Sequence, residues 1–160
     1  MSEDNNIKFI SVEDEFCEGC KNCELACAKR QVQNIGLEKV KELDIKVDPY
    51  IVVINNQNSK KEPNHCRHCR EAACMERCPV DAIYRKNGIV LVDEEDCVGC
   101  GLCEKACPYD VMIVRSRIDK NNNKSVAKKC DLCQDRQEVG KKPACFENCP
   151  TNALQLENMN

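Results

Sequence analysis

Tryptophan is absent from this chain of 160 residues, and phenylalanine and tyrosine occur three times each. A large aromatic core is therefore excluded, since those side chains dominate the burial energy of small domains. Long apolar runs are missing too. The longest, Tyr50-Ile51-Val52-Val53-Ile54 and Ile89-Val90-Leu91-Val92, fall far short of the roughly 20 residues of a membrane-crossing helix, so no membrane span is expected. Basic charge has no surplus: 24 Lys and Arg stand against 27 Asp and Glu, a formal net charge of −3. That removes the electrostatic footing for binding nucleic acid. Met1-Ser2-Glu3-Asp4 is acidic where a secretory signal is basic, and neither an apolar h-region nor a twin-Arg pair follows; the expected location is the cytoplasm. No Ser/His/Asp set, phosphate loop or dinucleotide fingerprint occurs, so catalysis by this chain alone is not expected.

Cysteine stands in place of all these, at sixteen of 160 residues. With so little core, the cysteines must hold the fold. At such density a secreted protein reads as a disulfide scaffold and a cytosolic one as metal ligation; the N-terminus favours the second. The cysteines fall into four groups of four. Cys17, Cys20, Cys23 and Cys27 are spaced C-x2-C-x2-C-x3-C, and Cys97, Cys100, Cys103 and Cys107 repeat that spacing before Pro108. Cys66, Cys69, Cys74 and Cys78 follow C-x2-C-x4-C-x3-C before Pro79, and Cys130, Cys133, Cys145 and Cys149 follow C-x2-C-x11-C-x3-C before Pro150. A repeat underlies them. Val12 to Cys27 matches Val92 to Cys107, and Pro79-Val80-Asp81-Ala82-Ile83 has counterparts in Pro108 to Met112 and Pro150 to Leu154.

Ile7 to Val12 reads as a strand. Asn87-Gly88, between Ala82-Ile83-Tyr84 and Ile89 to Val92, is a strong hairpin signal. Met112 to Arg117 and Lys124 to Lys128 flank Asn121-Asn122-Asn123 as a second hairpin. Each C-x3-C segment, such as Glu24 to Lys29 or Glu104 to Ala106, suits a helix of one or two turns that a following Pro ends. Residues 28–65 are too many for a structureless loop, and Asp44 to Asn55 is expected to supply a strand with Pro49 at an edge or bulge.

A C-x2-C-x2-C loop wraps three thiolates around one small inorganic cube, while the next Cys, on a helix pointing away, serves a neighbouring cube. That is the division of labour in two-cluster bacterial ferredoxins. Groups one and three carry the run, although group one has Ala28 where the Pro belongs. The alternative is zinc, for which group four, two short knuckles across a longer loop, would pass on its own. Three-Cys loops crowd a single ion, and the C-x3-C-x2-C order of radical enzymes using S-adenosylmethionine does not occur.

The span 17–150 resembles the four-cluster ferredoxin-like electron-transfer subunits of dimethyl sulfoxide reductase, formate dehydrogenase, formate-linked hydrogenase and carbon monoxide dehydrogenase complexes. The resemblance is carried by His65 to Cys69, Cys78-Pro79, Asp96 to Cys103, Lys129 to Arg136, Pro143-Ala144-Cys145 and Cys149-Pro150-Thr151. It implies four [4Fe–4S] clusters and a crossed pairing of groups, first with fourth and second with third. Cluster 1 would take Cys17, Cys20, Cys23 and Cys149, and cluster 4 Cys130, Cys133, Cys145 and Cys27. Cluster 2 would take Cys66, Cys69, Cys74 and Cys107, and cluster 3 Cys97, Cys100, Cys103 and Cys78. The implied fold class is α+β, a duplicated bacterial-ferredoxin-like fold with short hairpins and short helices around the clusters. An inner half, 56–111, would be inserted into an outer half of 1–55 plus 112–160.

Several further residues are marked by their places. His65 and His68 flank Cys66 and suit hydrogen bonds to sulfur better than ligation, the cysteine count being complete. Gly19, Gly99 and Gly101 suit a close backbone approach to a cluster or an ordinary turn. Ile83, Val111 and Leu154 are expected to cover the cubes. Glu13-Asp14-Glu15, Asp93 to Asp96, Lys128-Lys129 and Lys141-Lys142 read as solvated turns, with docking as the alternative. Each oxidised cube with its thiolates carries about −2, so four bring the protein to about −11, which favours a cationic docking face on a redox partner. The functional reading is a relay of single electrons between a catalytic subunit and a second carrier. The resemblance puts carbon monoxide dehydrogenase, formate dehydrogenase, hydrogenase and aldehyde oxidoreductase types forward as that subunit. A stand-alone polyferredoxin and a non-redox zinc module are the other readings.

Overall fold

The structure is a computed structural model and describes residues 6–116 and 125–159. Its strands come in pairs: β1 (Ile7–Val12) with β8 (Leu154–Met159), β2 (Val52–Asn55) with β3 (Lys61–Asn64), β4 (Ile83–Lys86) with β5 (Ile89–Val92), and β6 (Ile113–Ser116) with β7 (Ser125–Lys128). Helices are short: α2 (Leu37–Glu42), α3 (Ala73–Glu76), α4 (Leu102–Ala106), α5 (Gln134–Glu138) and α6 (Ala144–Glu147), with α1 (Asn22–Ile35) the exception at 14 residues. Among the described residues no helix is long and apolar enough to cross a membrane. Isolated two-stranded ribbons are marginal by themselves, so they depend on what they pack against.

The β4–β5 hairpin turns on Asn87 and Gly88, both at positive φ (52° and 80°), the two-residue turn whose twist matches the strands. Gly88 is doubly constrained, since a Cβ there would come within 2.7 Å of the Asn6 carbonyl. The β6–β7 hairpin forms where the two expected runs lie, while its Asn121-Asn122-Asn123 loop falls outside the described residues. In the 28–65 stretch the strand is shorter than expected. Pro49 precedes β2, and it is Pro63 of β3 that lies in the ribbon, opposite Val53, where a two-stranded edge tolerates the missing N–H.

The lengths of the cysteine-bearing helices follow from one residue. After Cys78, Cys107 and Cys149 the sequence runs Pro-x-Asp, Pro-x-Asp and Pro-x-Asn, and the third residue each time is left-handed: Asp81 (φ 50°), Asp110 (φ 53°) and Asn152 (φ 54°). Proline stops the helix and Asp or Asn accepts the left-handed turn most readily among non-glycines. After Cys27 stands Ala28, and α1 runs on to Ile35.

The protein divides into two compact units, one built mainly from Cys66–Asp131 and the other from Ile10–His65 with Leu132–Leu156. In the first, a small core of Ala72, Ala82, Ile83, Val90, Met112, Val126 and Ala127 also contains Cys97 and Cys103. The hydrophobic packing is thus wrapped around thiols.

Candidate metal centres

All sixteen cysteines are free of disulfides. In the Cys66–Asp131 unit, Cys66, Cys69, Cys74 and Cys107 line one cavity. The first two lie on the loop before α3, Cys74 lies in α3, and Cys107 follows α4. The loop is held by Arg85, whose guanidinium donates to the carbonyls of His68 (3.3 Å), Cys69 and Arg70 (3.1 Å). Burial pushes the Cys74 thiol up to about 11, against the nearby Lys129 ammonium, and raises Cys69 as well. A thiol so buried gives up its proton to a metal that replaces it.

A second cavity in this unit is lined by Cys78, Cys97, Cys100 and Cys103 together with Val80, Ile83, Val98, Val114 and Ala127. Backbone amides point at its sulfurs: Ala82 N–H to Cys78 Sγ at 3.3 Å and Ala127 N–H to Cys97 Sγ at 3.3 Å. The turn before Cys97 is organised by Asp93, whose carboxylate accepts from the Glu95 and Asp96 amides (2.9 and 3.4 Å). Gly99, at φ +67°, has no room for a Cβ, which would lie 2.2 Å from the Ser125 carbonyl of β7. Its role is therefore to let the cysteine loop pass the hairpin, whereas a Cβ on Gly19 would meet only the Lys61 side chain.

In the other unit, Cys17 and Cys20 lie on the loop before α1 and Cys23 in its first turn; burial pushes Cys23 up to about 11, with Cys20 and Cys17 close enough to add to it. Cys27, one turn on, receives the Tyr50 N–H at 3.3 Å and the Gln31 amide at 3.7 Å. Burial raises Cys145 strongly, and Cys133 and Cys27 are near enough to raise it further. Cys133 takes an N–H from Ala144 at 3.5 Å. Cys149 runs the other way: burial alone would raise it, but bonds from the Thr151 side chain (3.7 Å) and the Ala153 N–H (3.3 Å) hold it below the usual thiol range. The Glu13 N–H to Ala153 carbonyl bond, 2.8 Å, ties the segment before Cys17 to the segment after Cys149. An Arg30–Asp135 ion pair joins α1 to α5. Cys130 belongs to the Cys66–Asp131 stretch.

The two histidines separate in role. His65, 1 % exposed, bonds the Ile10 carbonyl through Nε2 at 2.9 Å and anchors β1. His68 lines the Cys66 cavity, and its Nδ1 accepts the Val90 N–H at 3.2 Å, which leaves the ring proton on Nε2. Ile83 and Val111 line the cavities as expected of covering residues. The expectation for Lys128-Lys129 needs correcting. Lys128 pairs with Glu94, and Lys129 is only 6 % exposed, with its ammonium on the carbonyls of Val90 and Cys130 (2.9 Å to the latter). Nothing in a two-lysine run distinguishes a buried member from a solvated one; the tertiary placement does.

Comparison with known proteins bears on the same residues. Residues 57–159 match the 4Fe-4S dicluster domain family. The iron-sulfur protein of Rhodospirillum rubrum is 34 % identical over 94 % of this sequence and 82 % of its own length. The B subunit of the anaerobic dimethyl sulfoxide reductase of Escherichia coli (strain K12) is 37 % identical, covering 91 % of this sequence and 70 % of itself. The electron transport protein HydN of the same organism is 36 % identical over 92 % of this sequence and 86 % of itself. Two further, longer relatives match over 22 % and 21 % of their own length.

Proposed function

Because this protein belongs to the 4Fe–4S dicluster family, we propose that it is the iron–sulfur electron-transfer subunit of an oxidoreductase complex. It relays single electrons through four [4Fe–4S] clusters, between a catalytic subunit and a second carrier, and performs no catalysis itself. The observation that carries this reading is the pair of cavities in the Cys66–Asp131 unit. Each is lined by four cysteines, three from one sequence group and one from the other. The donor chemistry fits, since soft thiolates are the ligands of such clusters, and amide N–H groups aimed at sulfur stabilise the anionic form.

The proposed ligand sets are Cys66, Cys69, Cys74 with Cys107; Cys97, Cys100, Cys103 with Cys78; Cys17, Cys20, Cys23 with Cys149; and Cys130, Cys133, Cys145 with Cys27. Support for the last two comes from the Glu13–Ala153 bond and from the closeness of Cys27, Cys133 and Cys145. A duplicated ferredoxin-like fold, with an inner half of 56–111 inserted in sequence into an outer half of 1–55 plus 112–160, follows from the same crossing. The compact units are likewise assembled from separated stretches of sequence, the first mainly from Cys66–Asp131.

When bound, a cluster supplies a one-electron carrier. The protein's own residues hold and tune it: cysteines ligate, Ala82, Ala127 and Ala153 donate to sulfur, and Ile83, Val111 and Val114 keep water away. The partner is a catalytic redox subunit of the carbon monoxide dehydrogenase, formate dehydrogenase, hydrogenase or aldehyde oxidoreductase type. The dimethyl sulfoxide reductase relative, itself the B subunit of its enzyme, supports a role inside a complex. The cytoplasm is the proposed location, as a reducing compartment suits sixteen thiols. Cys66→Ser and Cys107→Ser, 41 residues apart in sequence, should perturb the same electron paramagnetic resonance (EPR) signal of the anaerobically purified protein. Perturbation of different signals would overturn the crossed ligation.

A further inference from the structure

The two cavities of the Cys66–Asp131 unit differ in charge. The Cys66 cavity has Lys129 in its lining, buried to 6 % exposure, its ammonium bonded to two carbonyls. Among the described residues that ammonium has no carboxylate partner, and an ammonium kept from water needs an opposite charge close by. The anionic side it does face is sulfur, since Lys129 lines the same cavity as Cys66, Cys69, Cys74 and Cys107. Arg85 brings a second cation to the same loop, its guanidinium on the carbonyls of Cys69 and Arg70. Arg67 stacks over Tyr109 at the rim, 5.4 Å from the ring centroid. Around Cys78, Cys97, Cys100 and Cys103 the lining is aliphatic side chains and glycine, and among the described residues no ionisable side chain other than cysteine lines it.

We propose that Lys129 is the fixed counter-charge of the Cys66 site and makes it the higher-potential, electron-accepting member of the pair. This rests on the ligand sets proposed above. Reduction adds one negative charge to a site. A buried cation favours that added charge, and its effect is large where water does not screen it, while an apolar lining opposes it. Lys129 therefore biases a single electron toward its own site. The Cys66 site gains one electron as the Cys97 site loses one, and no bond is made or broken and no proton moves. Lys129 is a positioning residue for charge, and it gives the relay through this unit a direction, from the apolar site to the cationic one.

The test is an EPR-monitored redox titration of the full-length, anaerobically purified protein. Lys129→Met, which keeps the length and removes the charge, should make reduction of one cluster at least tenfold less favourable, a fall of about 59 mV or more for a one-electron couple. The shifted signal should be the one perturbed by Cys66→Ser and Cys107→Ser, and Lys129→Arg should restore its potential. Should Lys129→Met fail to assemble, the unsubstituted protein decides. There the signal perturbed by Cys107→Ser must reduce at higher potential than the signal perturbed by Cys97→Ser, and the reverse order overturns the proposal. If Cys66→Ser and Cys107→Ser perturb one signal but Lys129→Met leaves its potential in place, the role of Lys129 alone is wrong. If they perturb two different signals, the ligand sets fail and the proposal with them.

Discussion

Each thiolate of the proposed ligand sets carries a charge the surrounding backbone has to accommodate. At Cys78 and Cys149 this comes from the amide four residues on, Ala82 and Ala153, which the left-handed Asp81 and Asn152 turn back toward sulfur. At Cys27, where the helix continues, the amide comes instead from Tyr50, far along the sequence. Loop positions are constrained as closely as the ligands. Gly99→Ala must overcome left-handed strain, roughly 1–3 kcal/mol, and in addition the contact of its new Cβ with the Ser125 carbonyl. Gly101→Ala incurs the strain alone, its nearest neighbour being a Glu104 side-chain oxygen at 4.0 Å. Measured side by side, Gly99→Ala should lower both iron content and thermal midpoint well below the Gly101→Ala values. Equal losses would show that the Ser125 contact is unimportant.

Among the elements, α1 differs from the other cysteine-bearing helices because of a single position. Ala28 permits the helix to run past Cys27 and carry Arg30 to Asp135 and Asn34 to the same carboxylate. Ala28→Pro would impose on group one the stop that groups two, three and four have. In the middle of a helix it should cost about 3 kcal/mol. Its effect should appear as lost helical circular dichroism and a lower denaturation midpoint, with the Arg30–Asp135 pair broken. An unchanged midpoint would mean that the last two turns of α1 contribute little. The hairpins are positioned for the sites as well: β4–β5 carries Ile83 to one cavity and Val90 to the other, and β7 supplies the Ala127 amide to Cys97.

For the molecule as a whole, cysteines are interleaved with the buried aliphatic side chains among the described residues, so removing iron removes part of what those side chains pack against. Two outcomes follow. Anaerobically purified protein should contain close to 16 iron and 16 sulfide, about four of each for every four-cysteine set; zinc in place of half the iron would refute the assignment. Chelation of iron under reducing conditions should leave a largely unfolded polypeptide, as in small metal domains generally, and a persistent native far-ultraviolet spectrum would contradict this. Association is the third whole-molecule expectation. With formal charge moving from −3 to about −11 on loading, docking to a cationic partner should weaken as salt rises. The protein taken from its own cells should travel in a larger complex by native mass; a monomer with no larger species would favour a free polyferredoxin.

The sequence by itself determined the chemistry. Sixteen cysteines in four closed sets, with no other reactive constellation, leave a polynuclear iron–sulfur protein as the reading, because ligand type and spacing are local properties. It also determined the β4–β5 hairpin, which two residues specify, and the ends of the short cysteine-bearing helices, which the following Pro specifies. The length of α1 was not read: a helix of one or two turns was the expectation there, and Ala28, standing where the other groups have Pro, lets it run on to Ile35. Strand β2 was legible as the end of the expected 44–55 strand, but its partner β3 was not, since Pro63 argues against a strand until that partner is known. Only the tertiary structure decided which of two adjacent lysines is buried, which of two histidines faces a cysteine cavity, and why Gly99 has to be glycine. Each of these depends on an atom from a distant stretch of sequence: the Val90 carbonyl for Lys129, the Val90 amide for His68, the Ser125 carbonyl for Gly99. Spacing along a polypeptide fixes what a residue is able to bind, whereas its charge environment is made by neighbours that folding brings to it.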